Sequence, residues 1–359
     1  METTHHFQAS HLHAITRQLF MAAGTPRHIA DTVAEILVNS NLVGHDSHGV
    51  LHVPRYLLDI AEGRLDPDAE PKVVKETAST LHIDGNKAFG HYIARKAMDL
   101  AIEKAKQADV CCVSFLRTGH IGRLGEYAEV AARAGCIGII TVGYSGIDKG
   151  FVAPFGGARG ALETNPIAVG VPTGDDTPFI IDFATSVIAG AKIEFADSKG
   201  EDLPEGCIVD KHGNPTVKSA DYWDGGALLP FGGHKGYALS LLTCLLGFQH
   251  GDFDAEEDYV GGIFMQVINI NAFAPVEAYQ RNVREFLDNI KASPPAPGFD
   301  EVLVPGDFER RSRQHRLANG IDVPDAIYYK RTREWADKLG VTLGEEVVEA
   351  ADVDRYLVS

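Results

Sequence analysis

The stretch from about residue 80 to 145 constrains the fold most, because strand and helix signals alternate along it. "KVVKETASTLHIDG", which leads into it, has the β-branched, alternating character of two strands. "GHYIARKAMDLAIEKAKQAD" sets Ile93, Ala97, Leu100, Ala101 and Ala105 on one side of a helix. "VCCVSFLR" reads as a short apolar strand, "TGHIGRLGEYAEVAARAG" as a loop and then a helix, and "CIGIITVGY" as a strand again. Alternation of this kind builds α/β structure.

The flanks read differently. In "HLHAITRQLFMAAG" Leu12, Ile15, Leu19 and Phe20 recur at helical spacing, and Gly24 ends the run. "TPRHIADTVAEILVNSNL" predicts a second helix with Thr25 as N-cap and Pro26 at its first position. A third is expected over 53–61. Further on, "IAVGVP" and "PFIIDFAT" are short strand candidates, and "YALSLLTCLLGFQHG" (237–251) is an apolar helix expected to be buried. "MQVININAF" (265–273) reads as a strand and "VEAYQRNVREFLDNIKAS" as an amphipathic helix. The final "FERRSRQHRLANGIDVPDAIYYKRTREWADKLGV" reads as helical, punctuated by Gly320 and Pro324. The class expected is α+β or mixed α/β: one helical domain from 1–72 and 276–359, and a mixed region over 73–275.

At 359 residues and 45% hydrophobic, the chain can build two or three domains of ordinary size. No apolar run reaches the roughly 18 residues of a membrane span. "METTHHFQASHLHAI" lacks the basic and apolar regions of a signal peptide. Cys111, Cys112, Cys136, Cys207 and Cys244 are odd in number and form no C-x-x-C, so reduced thiols in a cytoplasmic protein are expected. A net charge of −17 argues against nucleic-acid binding. An anionic ligand would then need local donors, such as helix-start amides and a few arginines.

No G-x-G-x-x-G marks a doubly wound dinucleotide fold. "TGHIGRLGEY" spaces Gly119, Gly122 and Gly125 three apart between a strand and a helix, where a phosphate could approach free amides beside Arg123. A Gly-rich structural turn is the plain alternative. "GHDSHGVLHVPRY" (44–56) holds His45, Asp46, Ser47, His48 and His52. It could be a metal site, but no cysteine lies nearby and Gly44 and Gly49 suggest a turn. It could carry a nucleophile at Ser47, but adjacent residues seldom face one another and no G-x-S-x-G is present. A histidine acid/base and a merely polar loop complete the choices. His120 could face a ligand or cap a helix. "LLPFGGHKGYALSLL" offers His234 and Lys235 at a helix start, or an ordinary Gly-rich loop. Asp182, ending the strand in "PFIIDFATS", could accept ribose hydroxyls or cap a helix. "VPGDFERRSRQHR" is a basic cluster that a solvated helix side would explain.

Together, "NLVGHDSHGV", "GHIGRLGEYAEVAARAG", "TNPIAVGVP", "IDFATS", "HKGYALSLL" and "LVPGDFERRSRQHRLANGI" occur in order over nearly the whole chain. In this it resembles the malate/L-lactate dehydrogenase family of NAD(P)-dependent oxidoreductases, which includes sulfolactate and ureidoglycolate dehydrogenases and a piperideine-carboxylate reductase. The resemblance implies a non-Rossmann fold in which a helical domain from both termini packs on a mixed-sheet cofactor domain. It also implies a homodimer with the active site near the subunit interface, and NAD or NADP as cofactor without a metal.

Carried over by position, His48 is the proton donor/acceptor, with Ser47 beside it, and His120 is a second acid/base candidate. The resemblance places cofactor contacts at His48, Gly122, Arg123, Leu124, Asn165, Ile180, Ile181, Asp182, Phe183, Ala184, His234, Lys235, Gly236, Gly306, Asp307, Phe308 and Glu309. Many members have arginines where this chain has Val43 and His52. Their absence speaks against dicarboxylates and leaves Arg55, Arg123 and His52 as substrate contacts. The "GHDSHG" variant is that of the hydroxycarboxylate dehydrogenase branch, which points to monocarboxylic 2-hydroxy acids with bulky side chains. The implied reaction is hydride transfer between nicotinamide and a 2-hydroxy/2-oxo acid, with Asp46 orienting His48 and Asp182 favouring NAD by repelling a 2′-phosphate. Cyclic imine reduction and a metal-dependent hydrolase are the alternatives.

Overall fold

A seven-stranded mixed sheet spans the middle of the chain, in a computed structural model that describes residues 4–146, 150–175, 177–247, 260–344 and 347–356. The elements begin with β1 (Thr4–Phe7), α1 (Ala9–Ala22), α2 (Arg27–Leu42), α3 (Val53–Ala61), β2 (Lys72–Glu76), β3 (Thr80–Asp84), α4 (Gly90–Ala108) and β4 (Val110–Leu116). Next come α5 (Gly125–Arg133), β5 (Cys136–Ser145), β6 (Ile167–Val171), β7 (Phe179–Phe183), α6 (Gly190–Lys199), β8 (Ile208–Val209), β9 (Pro215–Thr216) and α7 (Ser219–Trp223). The last are β10 (Ala227–Leu228), α8 (His234–Gly247), β11 (Val260–Asn269), α9 (Val276–Lys291), α10 (Asp307–Asn319), β12 (Ile321–Pro324), α11 (Lys330–Leu339) and α12 (Ala350–Arg355).

The large sheet has the order β2-β3-β4-β11-β5-β6-β7. Only β3 and β4 run parallel, across the α4 crossover, and the other pairs are antiparallel. A sheet of this order is not doubly wound, which accords with the missing fingerprint. Glycines set how closely helices approach it. A Cβ at Gly138 of β5 would lie 2.5 Å from Ala131 Cβ of α5, and one at Gly143 2.2 Å from Cys244 N of α8. The two glycines are an odd number of residues apart, so α5 and α8 cover opposite faces.

A second core joins the chain ends. Leu12, Leu19 and Phe20 of α1 pack with Ile29 and Leu37 of α2, Val53 and Leu57 of α3, and Tyr328 and Ala336 near and in α11. The buried Arg17 of α1 pairs with Asp352 of α12.

Several expectations are corrected. Pro26, not Thr25, is the N-cap of α2, and the buried Thr25 hydroxyl has no hydrogen-bond partner among the described residues. Between Gly320 and Pro324, the punctuation expected within the last helical segment, lies β12, which pairs antiparallel with β1; neither short strand was legible. Helix α8 is not buried by its leucines. Gly236, Ser240, Thr243, Cys244 and Gly247 face inward while Leu241, Leu242 and Leu245 are exposed. Residues 248–251 of that expected helix lie outside the described residues.

Candidate active site

The opening motif follows α2 as two 3-10 turns, Asp46–His48 and Val50–His52, and then enters α3. Asn41 fixes both turns: Oδ1 accepts Val50 N–H at 2.9 Å and Nδ2 donates to Asp46 Oδ1 at 2.6 Å. A Cβ at Gly49 would lie 2.1 Å from Asn41 Oδ1, so this close approach requires glycine. Helix α10 holds the motif from outside. Arg316 grips Asp46 with bonds of 2.6 and 2.9 Å, and Ser312 Oγ donates to Leu42 O. The basic cluster is thus solvated only in part, with Arg311 and His315 exposed, and Asp46 is committed to Arg316 and Asn41 rather than to His48. The partner of His48 is its neighbour: Ser47 Oγ lies 3.0 Å from His48 Nδ1. These adjacent side chains meet within the 3-10 turn Asp46–His48.

His120 completes the site from the loop after β4. Its ring centroid lies 6.0 Å from that of His48 and 5.0 Å from that of His52. His120 is exposed to the cleft, while His48, His52 and Ser47 are half-buried. Behind them stand two residues that sequence reasoning missed. Tyr56 is buried, with its hydroxyl 2.7 Å from His120 Nδ1. His91 is fully buried, 5.3 Å from the Tyr56 ring and 6.0 Å from the His120 ring. Tyr56 sits four residues after His52, which is helical spacing toward one side, and that signal was available.

Burial disfavours charge throughout the cluster. It lowers His48 to about 4 and His91 to about 3, with neighbouring histidines adding to the effect. His52 and His120 are lowered for the same reason. Among the described residues, the one group of His, Asp, Glu or Cys side chains near enough to share an ion is His13, Asp31 and Asp352. Arg17 already binds both of its carboxylates.

The other motifs are linked to this place by a chain of contacts. Glu309 bonds His45 at 3.1 Å, and the Phe308 ring lies against Gly44, whose φ of +87° and 3.0 Å clearance favour glycine. A Cβ at Gly306 would lie 3.5 Å from Ile180 N, so the α10 turn abuts β7. Ile181 and Ala184 on the same strand end are half-buried, and Phe183 is exposed and packs edge-on against Phe231 at 5.6 Å. Phe231 N–H donates to Thr185 O, bringing in the His234–Lys235–Gly236 turn with both side chains exposed.

Some residues face inward instead. Of the roles open to Asp182, helix capping is observed, on α5 rather than on the helix that follows: Oδ2 accepts Gly125 N–H at 2.7 Å. The protein's own carboxylate thus occupies the helix start where a phosphate was expected to approach. Arg123 is buried among Glu126 (3.4 Å), Glu129 (3.8 Å) and Asp182 (4.0 Å), so its charge is balanced internally. Leu124 belongs to the sheet core, and Asn165 is buried, accepting Tyr144 N–H and donating to Ser240 Oγ. Asp307 pairs with Lys291 and Arg310, and Arg55 is exposed on α3 near Asp59. A Cβ at Gly122 would strike His91 Nε2 at 2.6 Å.

This fold and this sequence have counterparts. The sequence profile described as malate/L-lactate dehydrogenase matches residues 7–330. The chain belongs to that family. The L-sulfolactate dehydrogenase of Methanocaldococcus jannaschii is 37% identical over 335 residues, 91% of this chain and 94% of the relative. A solved structure of sulfolactate dehydrogenase from that organism matches 96% of this chain and 100% of its own with a TM-score of 0.87. Hydroxycarboxylate dehydrogenase B of Escherichia coli O157:H7 is 35% identical over 361 residues, 98% of each chain. A solved Δ1-piperideine-2-carboxylate reductase from Pseudomonas syringae pathovar tomato matches 92% of this chain and 100% of its own, at 30% identity and a TM-score of 0.79.

Proposed function

We propose that this protein is a nicotinamide-dependent dehydrogenase that interconverts a 2-hydroxy acid and a 2-oxo acid. The observation that carries the reading is the site itself: His48 and His120, accessible and neutral, with ring centroids 6.0 Å apart. Names of relatives point the same way, since sulfolactate is a 2-hydroxy acid and hydroxycarboxylates include such acids. The reductase relative makes cyclic imines the second reading.

The residues present fit a dinucleotide. A Cβ at Gly119 or Gly232 would meet open space, leaving backbone that phosphates can approach. Phe183 and the turns at His234–Gly236 and Gly306–Glu309 would hold the cofactor, NAD or NADP. Bound nicotinamide supplies the hydride acceptor or donor.

His48 supplies the proton chemistry. In oxidation, its neutral Nε2 takes the hydroxyl proton while Nδ1–H donates to Ser47 Oγ. That exchange is worth roughly 10²–10⁴ in rate. In reduction the same nitrogen returns a proton to the carbonyl oxygen, and the carboxylate of the bound acid favours the protonated ring. With Val43 buried and a neutral His52 in place of arginines, the site suits a monocarboxylic acid with a bulky side chain better than a dicarboxylate.

The exposed leucines of α8 support a homodimer, since such a face invites burial. The five free cysteines accord with a cytoplasmic setting. The test is a panel of 2-oxo acids and cyclic imines with both reduced cofactors, read by nicotinamide absorbance. Turnover of 2-oxo acids is expected. Turnover of imines alone would favour the second reading, and none in either class would overturn both.

A further inference from the structure

We infer that Tyr56 is a positioning residue whose hydroxyl fixes His120 as the Nε2–H tautomer, so that His120 offers the acid a hydrogen-bond donor while His48 alone exchanges the proton. The inference rests on the dehydrogenase reading for its second half and on geometry alone for its first. Tyr56 is 3% exposed, and among the described residues its hydroxyl has one hydrogen-bond partner, His120 Nδ1 at 2.7 Å. A buried O–H left without an acceptor loses its hydration and gains nothing in return. The Tyr56 proton therefore points at Nδ1, which must carry a lone pair. A neutral imidazole has one N–H, and here it falls on Nε2. Burial also holds the Tyr56 phenol well above its ordinary range, so the donor keeps its proton.

The surroundings preserve this arrangement. Phe89 and His91 pack edge-on against the Tyr56 ring at 6.2 and 5.3 Å. Neither ring nitrogen of His91 has a hydrogen-bond partner among the described residues, so it offers no second polar contact that turns the hydroxyl away. A proton on His120 Nδ1 would strand the Tyr56 O–H in this wall. Protonation of both nitrogens would also place charge beside His48, His52, His91 and Arg55, with no carboxylate in contact among the described residues. His48 differs. Its Nδ1 partner, the Ser47 hydroxyl, is half-buried and can accept while turning its own proton to solvent. His48 can thus gain and lose a proton without stranding a partner.

The test is a long-range ¹H–¹⁵N spectrum of the free protein labelled at histidine, with His120 assigned by comparison with His120→Gln. A neutral ring protonated at Nε2 is expected, giving way to a mixture of tautomers in Tyr56→Phe. Protonation at Nδ1 in the wild type, or an unchanged fixed tautomer in Tyr56→Phe, would overturn the proposal. For the second half, His120→Gln keeps an N–H donor and should retain about tenfold more kcat/KM for the acid than His120→Ala. Equal loss in both would show that His120 exchanges the proton. The spectrum is read without substrate, so failure of the dehydrogenase reading appears separately, as a wild type that turns over no 2-oxo acid.

Discussion

His48 keeps a neutral ring chiefly because the protein around it withholds water from a charge, and neighbouring His52 adds to this. Only the neutral ring can accept a hydroxyl proton. With its pKa lowered to about 4, it stays in the accepting form well below the ordinary 6.5, and acceptance is lost only as pH falls through that lower value. The profile of kcat/KM for the 2-hydroxy acid should therefore be flat from neutrality down toward about pH 5, with its acid limb near 4. A limb at 6.5 or above, from initial rates in constant-ionic-strength buffers, would contradict this account of the site. At this scale the sequence was partly legible. His48, Ser47, His52 and His120 stand out as a polar group among glycines. His91 did not, and Tyr56 showed only its helical spacing from His52, because their contacts with His120 join residues 29 and 64 positions apart.

Helix α5 starts against β7, with Asp182 accepting its first amide and facing the buried Arg123. Removing that carboxylate leaves a helix start uncapped and a buried guanidinium less balanced. Asp182→Ala should lower stability by about 1–3 kcal/mol, read as a shifted urea midpoint with unchanged slope. A midpoint equal to the wild type would show the cap to be idle. Helix α8 carries the next expectation. Its small side packs on the sheet because Gly143 and Gly262 leave no room for larger side chains, and its leucines are turned outward. If the protein is the proposed homodimer with this face as its contact, Leu245→Glu should shift sedimentation from dimer to monomer; a wild-type monomer, or a dimer unaltered by the substitution, would contradict that placement. Here the sequence identified the helix but not its facing. An apolar run shows that a surface seeks burial, whereas the close backbone approach that decides which side lies inward depends on glycines in other strands.

The molecule folds with several histidines held neutral in its interior: His13 between α1 and α2, and His48, His52 and His91 around the cleft. Each has a folded pKa below the unfolded value near 6.5, so below that pH the unfolded chain binds more protons. Stability must then fall as pH drops through 6.5 and keep falling toward the folded values. The thermal midpoint should decline between pH 7 and 5, in a scan at fixed salt, and a constant or rising midpoint would contradict buried neutral rings. That helices lie near both termini was legible in outline, and such helices need a core. The β1–β12 pair that links them was not, because each strand is only four residues long and gains its partner from the far end of the chain. The central claim is that this whole arrangement serves proton exchange at His48 during hydride transfer. The most direct measurement is turnover of a 2-hydroxy acid by wild type and His48→Ala at saturating cofactor, with the cofactor Kd taken on the same samples by nicotinamide fluorescence. The account predicts a fall in turnover of roughly 10²–10⁴ with Kd changed only a few-fold. Turnover within a few-fold of wild type would contradict it.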